Sequence, residues 1–111
     1  MARTYLDNIL DHHRARAASD ERSLESLIDD ALSCVPPRGF TQAISATPHL
    51  AVISEIKRRS PSKGDLNVGM DAAVMARNYQ AGGASCLSVL TDVPHFGGSV
   101  EDLRIARNAC S

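Results

Sequence analysis

The chain has no tryptophan and only two tyrosines and two phenylalanines in 111 residues. So few rings give no support for nucleic-acid recognition by base stacking. Cysteine is sparse: Cys34, Cys86 and Cys110 are widely spaced, odd in number and without a CxxC pair. That set suggests neither a disulfide framework nor a zinc ribbon, and reduced thiols are the simplest reading. No apolar run approaches the roughly 18 residues of a membrane-crossing helix. The opening stretch "MARTYLDNILDHHRARAASD" is charged throughout and lacks the apolar core of a secretory signal. Its acids, Asp7, Asp11 and Asp20, argue against an organellar transit peptide, so a cytoplasmic protein is expected. An excess of charge is also missing. The formal net charge of −1 makes no global case for nucleic acid or an anionic membrane as a partner.

What is present is ordinary for a globular chain: 43% hydrophobic and 23% charged residues, enough for one small domain. The first 35 residues read as helix. Tyr5, Leu6, Ile9, Leu10 and His13 recur at helical spacing, and Leu24, Leu27, Ile28 and Leu32 form a second apolar stripe. Asp20 or Ser23 is a candidate cap for the second segment, and "VPPRG" ends it. These stripes are expected to be packing surface. Residues 40–48 read as a connector. "HLAVISEIK", residues 49–57, reads as a buried strand between Pro48 and the "SPSKG" loop. A helix is expected from an Asp71 cap to about Ala81, stopped by Gly82 and Gly83. "SCLSVLT", 85–91, is a second strand, "DVPHFGGS" a loop, and "SVEDLRIARNA" a last helix with Ser99 and Asp102 spaced like a capping box.

Strands alternating with helices imply βαβ units and a parallel sheet. One crossover with two strands leaves both sheet edges open, so the pattern reads as the first part of a larger α/β fold. Self-association, or pairing with a complementary chain through those edges, is the partner behaviour this suggests.

The first strand ends on charge. Side chains alternate along a strand, so Ile53, Glu55 and Lys57 share one face and Val52, Ser54 and Ile56 the other. A carboxylate and an amine would face an apolar helix layer only at heavy desolvation cost, so they are expected on the opposite face, at the C-terminal end. Barrel enzymes keep their chemistry there. The pair could bind an anion, contact hydroxyls or pass protons, or be a solvated strand end. Arg58, Arg59 and Lys63 make the next loop basic, either a loop over an anionic substrate or a solvated surface. Phe96 could stack on an aromatic substrate or cover a core end. His95 reads as a solvated loop histidine. His12 and His13 are adjacent on a helix and face different directions, so no metal site is expected.

"VISEIKRRSPSKGDL", then "ARNYQAGGASCLSVLTD", then "HFGGSVEDL", closely resemble the indole-3-glycerol phosphate synthases of tryptophan biosynthesis. The "E-x-K-x-x-S-P-S" and "SVLT…F-x-G-S" runs carry the resemblance. It implies a (β/α)8 barrel with a helical N-terminal extension, placed here at 1–48, and the first two βα units at 49–111. It implies a carbon–carbon lyase. The substrate is a phosphorylated small molecule, 1-(2-carboxyphenylamino)-1-deoxyribulose 5-phosphate, and the reaction is ring closure with loss of carbon dioxide and water, without metal or organic cofactor. By the same resemblance Glu55 and Lys57 are catalytic, Lys57 toward the substrate carboxylate and Glu55 toward the sugar hydroxyls. Ser60 and Pro61 belong to the substrate-binding loop, and Phe96 packs on the anthranilate ring. The family's general-acid lysine, general-base glutamate and phosphate site belong to later strands, so this chain alone is expected to be a partial, inactive barrel. A non-catalytic fragment and another phosphate-binding barrel of the pathway, such as phosphoribosylanthranilate isomerase, are the alternatives. The "SPSKG" loop and the helical extension speak against the latter.

Overall fold

The computed structural model describes residues 1–111. It divides into two compact units, Met1–Arg38 and Gly39–Ser111.

The first unit holds α1 (Tyr5–Ala18) and α2 (Leu24–Ser33). Thr4 opens α1 through a reciprocal capping box. Its hydroxyl accepts from Asp7 N, and the Asp7 carboxylate accepts from Thr4 N at 2.8 Å. These hydrogen bonds hold the Asp7 carboxyl below its usual range. Ser23, rather than Asp20, caps α2, accepting from Ser26 N. Asp20 instead binds the Arg22 guanidinium. Neither helix buries a residue, and Leu24 and Leu32 are 72% and 79% exposed. The α2 stripe expected to pack is therefore uncovered within this chain.

The second unit begins with a short helix, α3 (Phe40–Ser45), where the sequence suggested a plain connector. Gly39 precedes it at φ +83, a conformation glycine adopts without strain. The strands are shorter than expected: β1 spans Ile53–Ile56 and pairs in parallel with β4 (Cys86–Val89), Ile53 opposite Cys86 and Ile56 opposite Val89. Between them, the loop read from "SPSKG" contains a small antiparallel hairpin, β2 (Arg59–Ser60) with β3 (Gly64–Asp65). Helix α4 (Ala72–Ala81) is capped by Asp71, as its position suggested. It ends at Gly82–Gly83, where Gly83 N donates to Gln80 O and Ala84 N to Tyr79 O. Gly83, at φ +95, makes that double turn-off possible. The stretch read as a loop after β4 contains a short helix, α5 (Val93–Phe96). Helix α6 (Val100–Ala109) closes the chain.

Helices α4 and α6 pack on each other and on the strands. The core is small: Ile56, Met70, Ala76 and Ala106, with Tyr79, Leu87 and Val89 packed against it. Ala76 and Ala106 are small enough to bring the two helix backbones close. Ile56 is 2% exposed while Ile53 is 50% exposed. The helix-facing side of β1 is therefore buried, and the side that carries Glu55 is open. The sheet is parallel but has only these two strands.

Candidate active site at the C-terminal ends of the strands

Burying Ile56 among the helices forces its neighbours in the alternation, Glu55 and Lys57, to the other face. There Lys57 Nζ sits 3.0 Å from Glu55 Oε1. Both side chains keep water contact, at 34% and 43% exposure, so the pair itself adds little stability, about 1 kcal/mol at most. Structurally it is a poor investment, but chemically it is useful. The ammonium has three donors, and one contact to Glu55 leaves the others for an incoming anion or hydroxyl.

Arg58 does something different from its neighbour. It turns into the protein and makes a two-pronged ion pair with Asp102, Nε to Oδ2 and Nη2 to Oδ1, both at 2.8 Å. Nη1 donates to Val68 O at 2.8 Å and to Met70 O at 2.6 Å, and the Arg58 carbonyl accepts from Leu66 N and Asn67 N. One residue thus closes both ends of the loop from 58 to 70. The guanidinium beside it holds the Asp102 carboxyl below the usual range, against the opposing effect of burial. This corrects two sequence readings. Arg58 is neither a free cation for substrate nor a solvated surface charge. Asp102 does not complete a capping box on α6: Ser99 accepts from Asp102 N at 3.0 Å, but the carboxylate is committed to Arg58.

Arg59 joins this loop to the one after β4. Its Nη2 donates to Pro94 O at 2.8 Å and Val93 O at 3.2 Å. Between Arg59 and the hairpin turn, Ser60 is buried, its hydroxyl accepting from Lys63 N at 3.2 Å. Pro61 follows, half-buried. On the other loop Asp92 caps α5 through His95 N, and Phe96 is that helix's last residue, also half-buried. His95 is not the solvated residue expected: its ring is 19% exposed, with Nδ1 3.2 Å from the Asp92 carboxylate. Gly98 N donates to Asp92 O, closing the turn. Of the five residues singled out from sequence, then, Glu55 and Lys57 are in direct contact. Ser60 and Pro61 lie on one loop and Phe96 on another, and Arg59 ties those loops together.

The parallel strand pair that ends in a Glu–Lys contact, the pinned "RRSPS" hairpin and the Phe-bearing turn all lie within the residues matched by comparison with a known family. A family model for indole-3-glycerol phosphate synthase matches residues 6–111. The chain belongs to the indole-3-glycerol phosphate synthase family. A protein of that name from Hyphomonas neptunium is 47% identical over 114 residues, covering 98% of this chain and 43% of the relative. An Acinetobacter baumannii synthase is 41% identical over 110 residues, 97% of this chain and 41% of its own. One from Rhodococcus opacus is 44% identical over 109 residues, 97% and 40%. The chain spans about two fifths of the length of the curated relatives it matches. No helix is long and apolar enough to cross a membrane.

The shared face of Glu55 and Lys57 follows from alternation along the strand, but the fasteners around it do not. Arg58 and Arg59 sat in a basic run that looked uniform. The signal that separates them lies forty-four residues away, in an acid inside the first turn of a helix, which no local pattern reveals.

Proposed function

We propose that this chain is the N-terminal portion of an indole-3-glycerol phosphate synthase: a helical extension over 1–48 and the first two βα units of a (β/α)8 barrel over 49–111. In the complete enzyme, acting in the cytoplasm, the reaction is closure of the pyrrole ring of 1-(2-carboxyphenylamino)-1-deoxyribulose 5-phosphate with loss of carbon dioxide and water. The observation that carries the reading is the Glu55–Lys57 contact of 3.0 Å on the open face of β1. A carboxylate that must first be held and then lost needs a cation, and Lys57 supplies one. Glu55, in contact with that ammonium, keeps it aimed and accepts from sugar hydroxyls. Ser60 and Pro61 border the substrate through the hairpin loop. Phe96 gives the anthranilate ring an apolar wall. The general acid, general base and phosphate site belong to later strands, so this segment alone does not turn over substrate.

The test is a fusion in which residues 1–111 are continued by the C-terminal part of the Hyphomonas neptunium relative, assayed by indole-product fluorescence. Turnover by the fusion, and none by the 111-residue chain, is expected. An inactive but folded fusion overturns the reading. The unpaired edges of the two-stranded sheet favour one further behaviour, association of the isolated chain with itself or with a complementary barrel portion. Size-exclusion chromatography with and without a fragment carrying the later strands checks it. A monomer in both cases removes it.

A further inference from the structure

Strand β1 is held from three directions around one peptide, and the third hold belongs to a residue outside the strand. On the side of β4, the carbonyl of Val52, just before β1, accepts from Ser85 N at 2.8 Å and Cys86 N at 3.3 Å, and that of Ile56 accepts from Leu90 N, just after β4, at 3.1 Å. Backbone groups alternate edges along a strand, so the carbonyl of Glu55 faces the opposite, open edge. It is not left bare. Tyr79, on the last turn of α4, donates its hydroxyl to Glu55 O at 3.0 Å. Tyr79 is itself fixed, since its ring packs against the core and its own carbonyl accepts from Ala84 N at 3.0 Å. The Glu55–Ile56 peptide thus has Ile56 anchored in the core on one side, β4 on the second and Tyr79 on the third. The same peptide starts at the α-carbon that carries the Glu55 side chain and is followed, after Ile56, by the one that leads to Lys57.

We propose that Tyr79 is a positioning residue for the Glu55–Lys57 pair: its hydroxyl fixes the Glu55 peptide and so sets the direction of both side chains. This rests on the function proposed above and deepens it. A carbonyl oxygen has two lone pairs, so the hold is compatible with a strand N–H arriving on the same edge. Within residues 1–111 the Tyr79 hydroxyl makes the hydrogen bond shown to that carbonyl. In the complete barrel it would act together with the arriving strand, and a small misplacement of reacting groups is costly to catalysis.

The test uses the fusion enzyme with Tyr79→Phe, which removes one oxygen and keeps the packed ring. The expected result is about a tenfold fall in kcat/KM, carried mainly by kcat. Alongside it, the Glu55 carbonyl carbon resonance should move in the direction of a lost hydrogen bond. Para-aminophenylalanine at position 79, which restores a donor, should recover most of the rate. A purely structural tyrosine would lower the unfolding midpoint and leave kcat/KM and its amine rescue flat, and that outcome overturns the proposal. So does an unshifted Glu55 carbonyl. If the parent fusion is folded but inactive, the functional reading fails, and the carbonyl resonance still decides whether Tyr79 holds the peptide.

Discussion

Gly98→Ala is the sharpest perturbation the geometry offers, and its cost follows from space rather than conformation. A Cβ built on Gly98 would stand 1.8 Å from the Leu90 carbonyl oxygen and 2.6 Å from its carbon. Ordinary contact begins near 3.4 Å, so the two backbones must part by about 1.6 Å in a region packed like a solid. Neither partner is a side chain that can rotate away. Parting them breaks the bond from Gly98 N to Asp92 O, about 1 kcal/mol, and adds overpacking strain of about 1–3 kcal/mol. The expected loss is about 2–4 kcal/mol. Gly97→Ala is the matched control. Its φ of +62 penalises alanine by about 1–2 kcal/mol, but its Cβ would meet only the Arg59 side chain at 3.2 Å, which a shift of a few tenths of an ångström relieves. Urea unfolding of the fusion enzyme, followed by circular dichroism, gives both numbers. The Gly98 variant should be the less stable of the two by about 1.5 kcal/mol, the difference between the middles of the two ranges, and its KM should rise because the displaced turn carries Phe96. Equal stability of the two alanine variants would refute the close-approach argument.

Other outcomes follow from the same geometry. In the fusion enzyme Lys57→Ala should lower kcat/KM at least about tenfold, and unchanged steady-state kinetics would remove Lys57 from the site. Phe96→Ala should mainly raise KM, since ring stacking is similar in ground and transition states, and a pure kcat defect would contradict that role. Asp102→Asn should destabilise by about 3 kcal/mol at neutral pH, the low end for breaking a buried pair, because it removes the charge opposite a mostly buried guanidinium. Folding lowers the Asp102 pKa beneath its ordinary value of 3.8. Its contribution is therefore complete above that value and is lost as pH falls through the lower folded one. The stability gap between wild type and Asp102→Asn should accordingly narrow as pH drops below about 4, and a gap that widens there would be inconsistent with the pairing.

Local chemistry was enough to read most elements from sequence. Asp71 as a cap, Gly82–Gly83 as a stop and the period of Ala72, Met75, Ala76 and Tyr79 defined α4, because each signal acts within a turn of its target. The face that carries Glu55 and Lys57 followed from alternation and the cost of burying charge, and the 3.0 Å contact lies on that face. The elements that escaped are those whose stability is not local. Helix α5 and the β2–β3 hairpin are each too short to be marked by periodicity. They persist because Arg59 reaches the Val93 and Pro94 carbonyls and Arg58 closes the loop behind them. The apolar stripe of α2 was legible as a stripe, but the sequence carried no information on what covers it.

Sequence alone determined the family, the order of strands and helices, and which residues of β1 share a face, since these depend on spacing along the chain. Tertiary structure decided how two adjacent arginines divide their work, why the glycine at 98 admits no side chain, and that Tyr79 reaches the carbonyl of Glu55. Each of those facts is a distance between residues far apart in sequence. Such distances are set when the helices pack on the strands, and no pattern of neighbouring residues encodes them.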